Sequence, residues 1–360
     1  MNARGRATAG PTAAAPRPLI AGGRLRTAVL GDGGFGTAMA MTLLDAGHDV
    51  VQWGIDPDYL KAMERDRENS RYLPGIALPG ALRFNPDPLS AARDADWVFV
   101  AIPTQYLRAA LPPWPAPADR AHPGDEGAPP VVVLAKGIEQ DTLKRPSEIV
   151  AELWRPARLA VLSGPSHAEE VARKLPSTLV AASADGEFAR AVQAACSTTA
   201  FRVYTSSDPV GVELCGALKN VLAIAAGISQ GLGLGDNALA ALVTRGIAEI
   251  RRLGAKVGAH PETFAGLAGI GDAMTTCYSP HGRNRAVGLD IAAGRTLESV
   301  MAGRKTVAEG VATSRAALEL SRRLGAPMPI VEQVCAVLFD GADPRESAFR
   351  LMLRDPVAEN

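Results

Sequence analysis

Thr27-Ala28-Val29-Leu30-Gly31-Asp32-Gly33-Gly34-Phe35-Gly36 is a short apolar run that breaks into glycines, and the helix-prone Ala38-Met39-Ala40-Met41-Thr42-Leu43-Leu44 follows it at once. Strand, tight turn and helix stand here in the order that a dinucleotide-binding fold needs. Gly31 lets the chain turn sharply. Gly33 has no side chain to hold a pyrophosphate away from the backbone. Gly36 lets the helix pack close to the strand. The helix start then offers unpaired N–H groups and a partial positive charge to phosphates. Glycine spacing alone says little in a chain with 36 glycines; the flanking strand and helix carry the reading. Without a ligand, the same residues would be a glycine-rich strand–helix turn.

His48-Asp49-Val50-Val51-Gln52-Trp53 reads as a second strand, ending at Gly54-Ile55-Asp56-Pro57. Asp56 lies 20 residues after Gly36, where a carboxylate would accept hydrogen bonds from an adenosine ribose. A carboxylate there favours NAD, because it repels a 2′-phosphate. Equally, Asp56 could cap a helix that opens at Pro57.

A length of 360 residues allows about two domains. Apolar residues make up 47% and charged residues 21%, as in ordinary globular chains. Basic and acidic residues balance at 38 each, so no overall field draws nucleic acid or anionic lipid, and any bound anion must be held locally. Cys196, Cys215, Cys277 and Cys335 are scattered and form no C-x-x-C pair. They suggest neither a zinc knuckle nor a disulfide framework, but thiols in a reducing compartment such as the cytoplasm. Cys277 and His281 could share a helix face, yet two ligands do not make a zinc site, and no metal is expected. No apolar run of about 18 residues is read, so no membrane span is expected. The acid-free stretch 1–24, dominated by Ala, Gly, Pro, Arg and Thr, reads as a disordered, untargeted tail.

Over 25–208 the pattern is α/β. Strands are expected at Thr27–Leu30, Asp49–Trp53, Asp96–Ile102, Val131–Ala135, Leu159–Ser163, Thr178–Ala182 and Phe201–Tyr204, with helices around 36–47, 57–69, 87–94, 141–155, 167–174 and 186–197. Such alternation implies a Rossmann-like, doubly wound, mostly parallel sheet covered on both faces. A proline-rich surface loop is expected at 112–130. From 209 to 360 only helices are expected, beginning with the long apolar helix Val212–Ile228. The cleft between the sheet and this all-α domain is the default substrate site. The apolar helical domain also offers a face for a homodimer.

Lys219, in Gly216-Ala217-Leu218-Lys219-Asn220, interrupts an otherwise apolar helix. Burial there would lower its pKa and make it a general base; alternatively its stem packs and its ammonium reaches water. Lys136, in Ala135-Lys136-Gly137, follows a strand and can face the cleft. Ser163-Gly164-Pro165-Ser166-His167-Ala168-Glu169 is another strand-to-helix turn, where Ser166 and Glu169 fit a capping box and an anion could bind the helix start. Gly269-Ile270-Gly271-Asp272 reads as a glycine-bracketed acid on a turn. Arg283-Asn284-Arg285 opens a helix and suits a phosphate group. Glu309, after Val307-Ala308, could bind ribose hydroxyls or simply favour the helix dipole.

Taken in order, Gly31-Asp32-Gly33-Gly34-Phe35-Gly36-Thr37-Ala38, Ala135-Lys136-Gly137, Ser163-Gly164-Pro165-Ser166, Gly216-Ala217-Leu218-Lys219-Asn220, Gly269-Ile270-Gly271-Asp272 and Arg283-Asn284-Arg285 resemble the bacterial-type NAD(P)-dependent glycerol-3-phosphate dehydrogenases over nearly all of residues 27 to 353. The resemblance implies reversible reduction of dihydroxyacetone phosphate to sn-glycerol 3-phosphate by NADH or NADPH, in the service of glycerophospholipid synthesis. It implies Lys219 as the proton acceptor in alcohol oxidation. Lys136, Gly164, Ser166, Asp272, Arg283 and Asn284 would contact the substrate. Gly31, Gly33, Gly34, Phe35, Gly36, Asp56, Lys136, Ala168, Arg283, Val307 and Glu309 would line the cofactor. There are two departures from the family. Ile55 and Asp56 stand where NADPH-using members often carry a basic residue, which leans the chain toward NADH unless another cation meets the 2′-phosphate. Gly282 replaces a frequent serine, although its N–H could still donate. Two other readings use the same features: an oxidoreductase for hydroxy acids, and a nucleotide-binding sensor without catalysis.

Overall fold

The computed structural model describes residues 23–115, 127–280, 282–304 and 307–355. Most of the expected N-terminal tail, the centre of the proline-rich loop and His281 lie outside the described residues.

Among the described residues ten strands occur: β1 Arg26–Leu30, β2 Asp49–Trp53, β3 Glu68–Asn69, β4 Leu73–Ala77, β5 Arg83–Phe84, β6 Trp97–Val100, β7 Val131–Val133, β8 Leu159–Ser163, β9 Ser177–Ala182 and β10 Phe201–Ser206. Eight of them form one sheet in the order β10-β9-β8-β7-β6-β1-β2-β5. All neighbours are parallel except β8 and β9. The chain starts in the middle at β1, winds outward through β2, and returns to β6 on the other side. Between β1 and β6 the winding reverses, which opens a crevice beyond the strands' carboxyl ends.

Apolar strands buried on both faces explain the two-sided packing. Val29, Val50, Phe99 and Leu162 pack under Met39, Leu43, Leu60, Met63, Phe188 and Val192 of the helices on one face. Leu30, Val98, Val100 and Val133 pack under Leu107, Ile149, Val150 and Trp154 on the other. All seven expected strands are present. The edge strand β5 and the small antiparallel hairpin β3–β4 lie beyond those expected from the sequence. The helix expected over 57–69 ends at Asp66, because Arg67 turns left-handed (φ 51°) and leads into that hairpin. The hairpin turns at 70–72, and Gly75, inside β4, has a positive φ of 75°.

After β10 every further regular element among the described residues is helical. The helix Pro209–Gly231 runs through the centre of this half, buried along nearly its whole length. By length and composition it is apolar enough to cross a bilayer (mean hydropathy 1.5), but its apolar window is wholly covered by protein, as in a core helix. Asp208 caps it, accepting from Gly211 N–H (2.8 Å), His260 N–H (2.9 Å) and Thr263 Oγ1 (2.6 Å). One turn on, buried Glu213 accepts from Arg145 Nη1 (2.7 Å) and from Ser147 N–H (2.9 Å) and Oγ (2.6 Å). These two carboxylates tie the central helix to neighbours on either side and thereby fix Lys219, six residues further along, relative to the sheet. Gly227 and Gly288 let the central helix and the helix Arg283–Ala292 approach until a Cβ on either would strike the other's backbone. That contact sets the position of Arg283 and Asn284.

Candidate active site

Lys219 projects from the central helix toward Asp272, which lies on the helix Asp272–Tyr278. Its Nζ donates to Asp272 Oδ1 and to Thr276 Oγ1 (2.8 Å). Lys136, just beyond β7, donates to the other oxygen, Asp272 Oδ2 (2.9 Å), and to the Gly164 carbonyl (3.3 Å). Ser166 Oγ donates to the same carbonyl (2.9 Å). Lys219, Asp272, Lys136, Gly164 and Ser166 thus form one connected cluster. Asp272 is 1% exposed and Lys219 7%, so the pair is charged in a dry setting. Burial lowers the Lys219 pKa to about 8, against the pull of Asp272 in the other direction, and Lys136 adds to the lowering. A Cβ on Gly216 would lie 2.9 Å from Ser163 Oγ, closer than ordinary contact, so glycine lets the central helix approach the end of β8, while the Lys136 stem passes at ordinary contact distance, 3.5 Å.

A second chain of contacts leaves Asn220, next to Lys219. Asn284 Nδ2 donates to Asn220 Oδ1 (2.9 Å), and Asn284 Oδ1 accepts from Gly310 N–H (3.0 Å). Adjacent Glu309 accepts from Thr104 N–H (3.3 Å) beyond β6. Burial raises the Glu309 pKa, with Arg283 opposing. The Arg283 guanidinium is exposed and forms no ion pair among the described residues. The first N–H groups of its helix have no carbonyl a turn behind them within the helix.

Several expectations change here. Asp272 sits not on a turn but at the start of a helix, entered through the π-helical turn Leu267–Gly271. This geometry puts Thr276 one turn above it, four residues on. The Ser166–Glu169 capping box does not form: His167 is the N-cap residue, and Ser166 spends its hydroxyl on Gly164. The Asn284 Oδ1 is committed to Gly310 and one of its two Nδ2 N–H groups to Asn220, which leaves the second amide N–H and the backbone N–H as donors for an anion. The Gly282 N–H is occupied by Ser279 O (3.4 Å). Asp56 does cap its helix, accepting from Tyr59 N–H (3.1 Å), and also pairs with Arg71 Nη1 (2.8 Å). Sequence reading missed Thr276, Asn220, Thr104 and Arg71. Only Thr276 and Asn220 carried a signal, by helical spacing from Asp272 and adjacency to Lys219.

The glycine turn fits a dinucleotide. A Cβ on Gly31 (φ 128°) would lie 2.7 Å from the Ala101 carbonyl, and one on Gly34 would lie 2.7 Å from the Tyr72 carbonyl. A Cβ on Gly33 would meet nothing within 4 Å. The turn is therefore closed below and open above, at the helix start where a pyrophosphate binds. Phe35 and Ala168 flank it, each half-buried, as is Val307 near the start of the helix Glu309–Leu324. Along the crevice, Ser163 Oγ, Thr104 Oγ1, Thr313 Oγ1 and His167 Nε2 are buried with no protein partner. Buried polar atoms are costly to leave unpaired, and a bound ligand would satisfy them. The four cysteines are buried free thiols.

Two family models match in tandem: the NAD-dependent glycerol-3-phosphate dehydrogenase N-terminus over residues 26–189 and its C-terminus over 208–348. The chain belongs to the NAD-dependent glycerol-3-phosphate dehydrogenase family. A glycerol-3-phosphate dehydrogenase [NAD(P)+] of Chlorobium phaeobacteroides is 44% identical, covering 93% of this chain and 99% of that one. The counterpart in Citrifermentans bemidjiense is 46% identical over 93% and 98% of the two chains. Among solved structures, glycerol-3-phosphate dehydrogenase from Coxiella burnetii superposes with a TM-score of 0.84 at 31% identity, covering 94% of this chain and 100% of that one. This member of the family is an oxidoreductase that uses a nicotinamide cofactor.

Proposed function

We propose that this dehydrogenase interconverts dihydroxyacetone phosphate and sn-glycerol 3-phosphate, with Lys219 as the proton-transfer group. The observation that carries the proposal is the buried Lys219–Asp272–Lys136 cluster at the carboxyl ends of β7 and β8. Bound nicotinamide supplies the hydride in reduction and takes it up in oxidation. Two ammonium groups around one carboxylate leave a net positive charge in a site with little water. That charge stabilises the oxyanion that forms as the carbonyl is reduced. Lys219 then gives the oxygen its proton, and in oxidation neutral Lys219 accepts the hydroxyl proton. A pKa near 8 suits both directions around neutral pH. Lys136 and the Gly164–Ser166 turn border the reacting carbon. Arg283, with the N–H groups of Arg283 and Asn284, takes the phosphate. Gly31, Gly33, Gly34, Phe35, Gly36, Ala168, Val307 and Glu309 line the cofactor, and Asp56 faces its adenosine ribose. We assign residues 25–208 to a dinucleotide-binding domain and 209–360 to a substrate domain.

Arg283→Ala is expected to raise the KM for dihydroxyacetone phosphate by about 100-fold, as loss of a charge-assisted pair to phosphate should. Turnover of phosphate-free dihydroxyacetone should stay unchanged. Steady-state assays with the two ketones check this, and equal losses on both would remove Arg283 from the phosphate site. Parallel assays with 2-oxo acids separate this activity from that of a hydroxy-acid dehydrogenase.

The product is a phospholipid backbone, so we place the enzyme in glycerophospholipid synthesis in the cytoplasm. A homodimer through the helical half is proposed as well: its last helix, Pro344–Met352, leaves Phe349 and Met352 exposed.

A further inference from the structure

The hairpin β3–β4 has no counterpart in the sequence reading, yet it is built into the cofactor crevice. Asn69 fixes its base, donating through Nδ2 to the Asp32 carbonyl in the glycine turn (2.7 Å) and to Thr37 Oγ1 in the helix that follows (2.8 Å). Asn69 Oδ1 accepts from Tyr59 Oη (2.8 Å) and from Tyr72 N–H (3.1 Å). Tyr59 Oη in turn accepts from Arg71 N–H (2.8 Å). The Tyr72 carbonyl rests on Gly34. Every bond in this set pins the Arg71–Tyr72 tip over the end of β2.

There the Arg71 guanidinium lies 3.8 Å above the Tyr59 ring centroid and donates one N–H to Asp56 Oδ2 (2.8 Å). Its side chain is 50% exposed. A guanidinium has five N–H donors in a rigid plane, so most of them remain directed to solvent. The residue beside Asp56 is Ile55, 68% exposed and without charge. The end of β2 therefore lacks a cation of its own and receives one from the hairpin. In a doubly wound fold, a carboxylate here accepts from the ribose hydroxyls of NAD, and an arginine here receives the 2′-phosphate of NADP. This chain holds both, paired.

We propose that the Asp56–Arg71 pair is the adenosine-ribose selector of this enzyme, with Arg71 as the specificity-determining residue that admits a 2′-phosphate. With NADH, Asp56 takes the ribose hydroxyls while Arg71 holds it in place. With NADPH, the free N–H groups of Arg71 bind the phosphate and offset the charge of Asp56. Arg71 and then the Tyr59 N–H hold the Asp56 carboxyl below its usual range, so it stays ionised throughout. The enzyme accordingly accepts both cofactors.

The proposal rests on the nucleotide reading of the glycine turn, and binding measurements separate the two. Titration of NADH, NADPH, 5′-ADP and 2′,5′-ADP, followed by calorimetry without substrate, is the test. Arg71→Met should weaken NADPH and 2′,5′-ADP by about 10-fold or more and shift NADH and 5′-ADP by less than about threefold. Arg71→Lys should recover part of the loss, since it keeps the charge but not the planar fork. Asp56→Asn should weaken NADH and strengthen 2′,5′-ADP. Equal weakening of all four ligands by Arg71→Met, or no change in any, would overturn the proposal. Failure of the wild-type protein to bind either dinucleotide would instead overturn the nucleotide reading itself. Arg71 is half exposed, so its variants should fold, which circular dichroism checks.

Discussion

Lys219→Ala is expected to lower turnover in both directions by about 10⁴-fold, the upper range for loss of a positioned proton-transfer group. NADH affinity should change by less than about twofold, because no described contact links the Lys219 amine to the glycine turn. Fluorescence titration of NADH alongside steady-state rates checks both halves. The alanine leaves Asp272 with Lys136 as its counter-charge, so the buried carboxylate is not stranded and the fold should survive. A loss of NADH binding equal to the loss of rate would mean that Lys219 supports the structure and not the reaction. Added methylamine should restore part of the oxidation rate if the missing group is an amine acting as base.

Asp272→Asn is the second large effect, about 10³-fold on the rate of reduction. The carboxylate holds two ammonium groups at once. Asparagine would leave two cations facing each other in a buried site, and the cheapest relief is for Lys219 to lose its proton. Asp272 raises the Lys219 pKa, so its removal moves that pKa further down. The variant then lacks the proton donor at neutral pH. Reduction should recover as pH falls, whereas oxidation, which needs the neutral amine, should be hurt less. A loss equal in both directions and independent of pH would show that Asp272 acts only as scaffold.

The parts of this site that were legible in the sequence are those whose partners lie close along the chain. The glycine turn declares itself because strand, turn and helix occupy barely twenty consecutive residues, and each glycine has a local steric reason. Lys219 declares itself because a charge in an apolar helix needs an explanation. Its partner does not. Asp272 reaches Lys219 across 53 positions and Lys136 across 136, and no local pattern encodes such a meeting. Locally Asp272 stands out only by the glycines before it, and its place on a helix depends on the π-helical turn that precedes it. Asn284 reads from sequence only as an amide beside Arg283; its ties to Asn220 and Gly310, which lie 64 and 26 positions away, are set by tertiary packing and leave one amide N–H over. Asp56 offered two readings, as cap and as ribose ligand. Its carboxylate serves the first, and Arg71, from an unforeseen hairpin, keeps its other oxygen in place.

The most direct measurement is the single-turnover rate of nicotinamide reduction by sn-glycerol 3-phosphate, followed from pH 6 to pH 10. A buried amine as base predicts a rate that rises with pH through one ionisation near 8 and then levels, with the midpoint shifted down in Asp272→Asn. A rate that is flat across this range, or that keeps climbing to an ionisation near the ordinary lysine value of about 10.4, would contradict the assignment of Lys219.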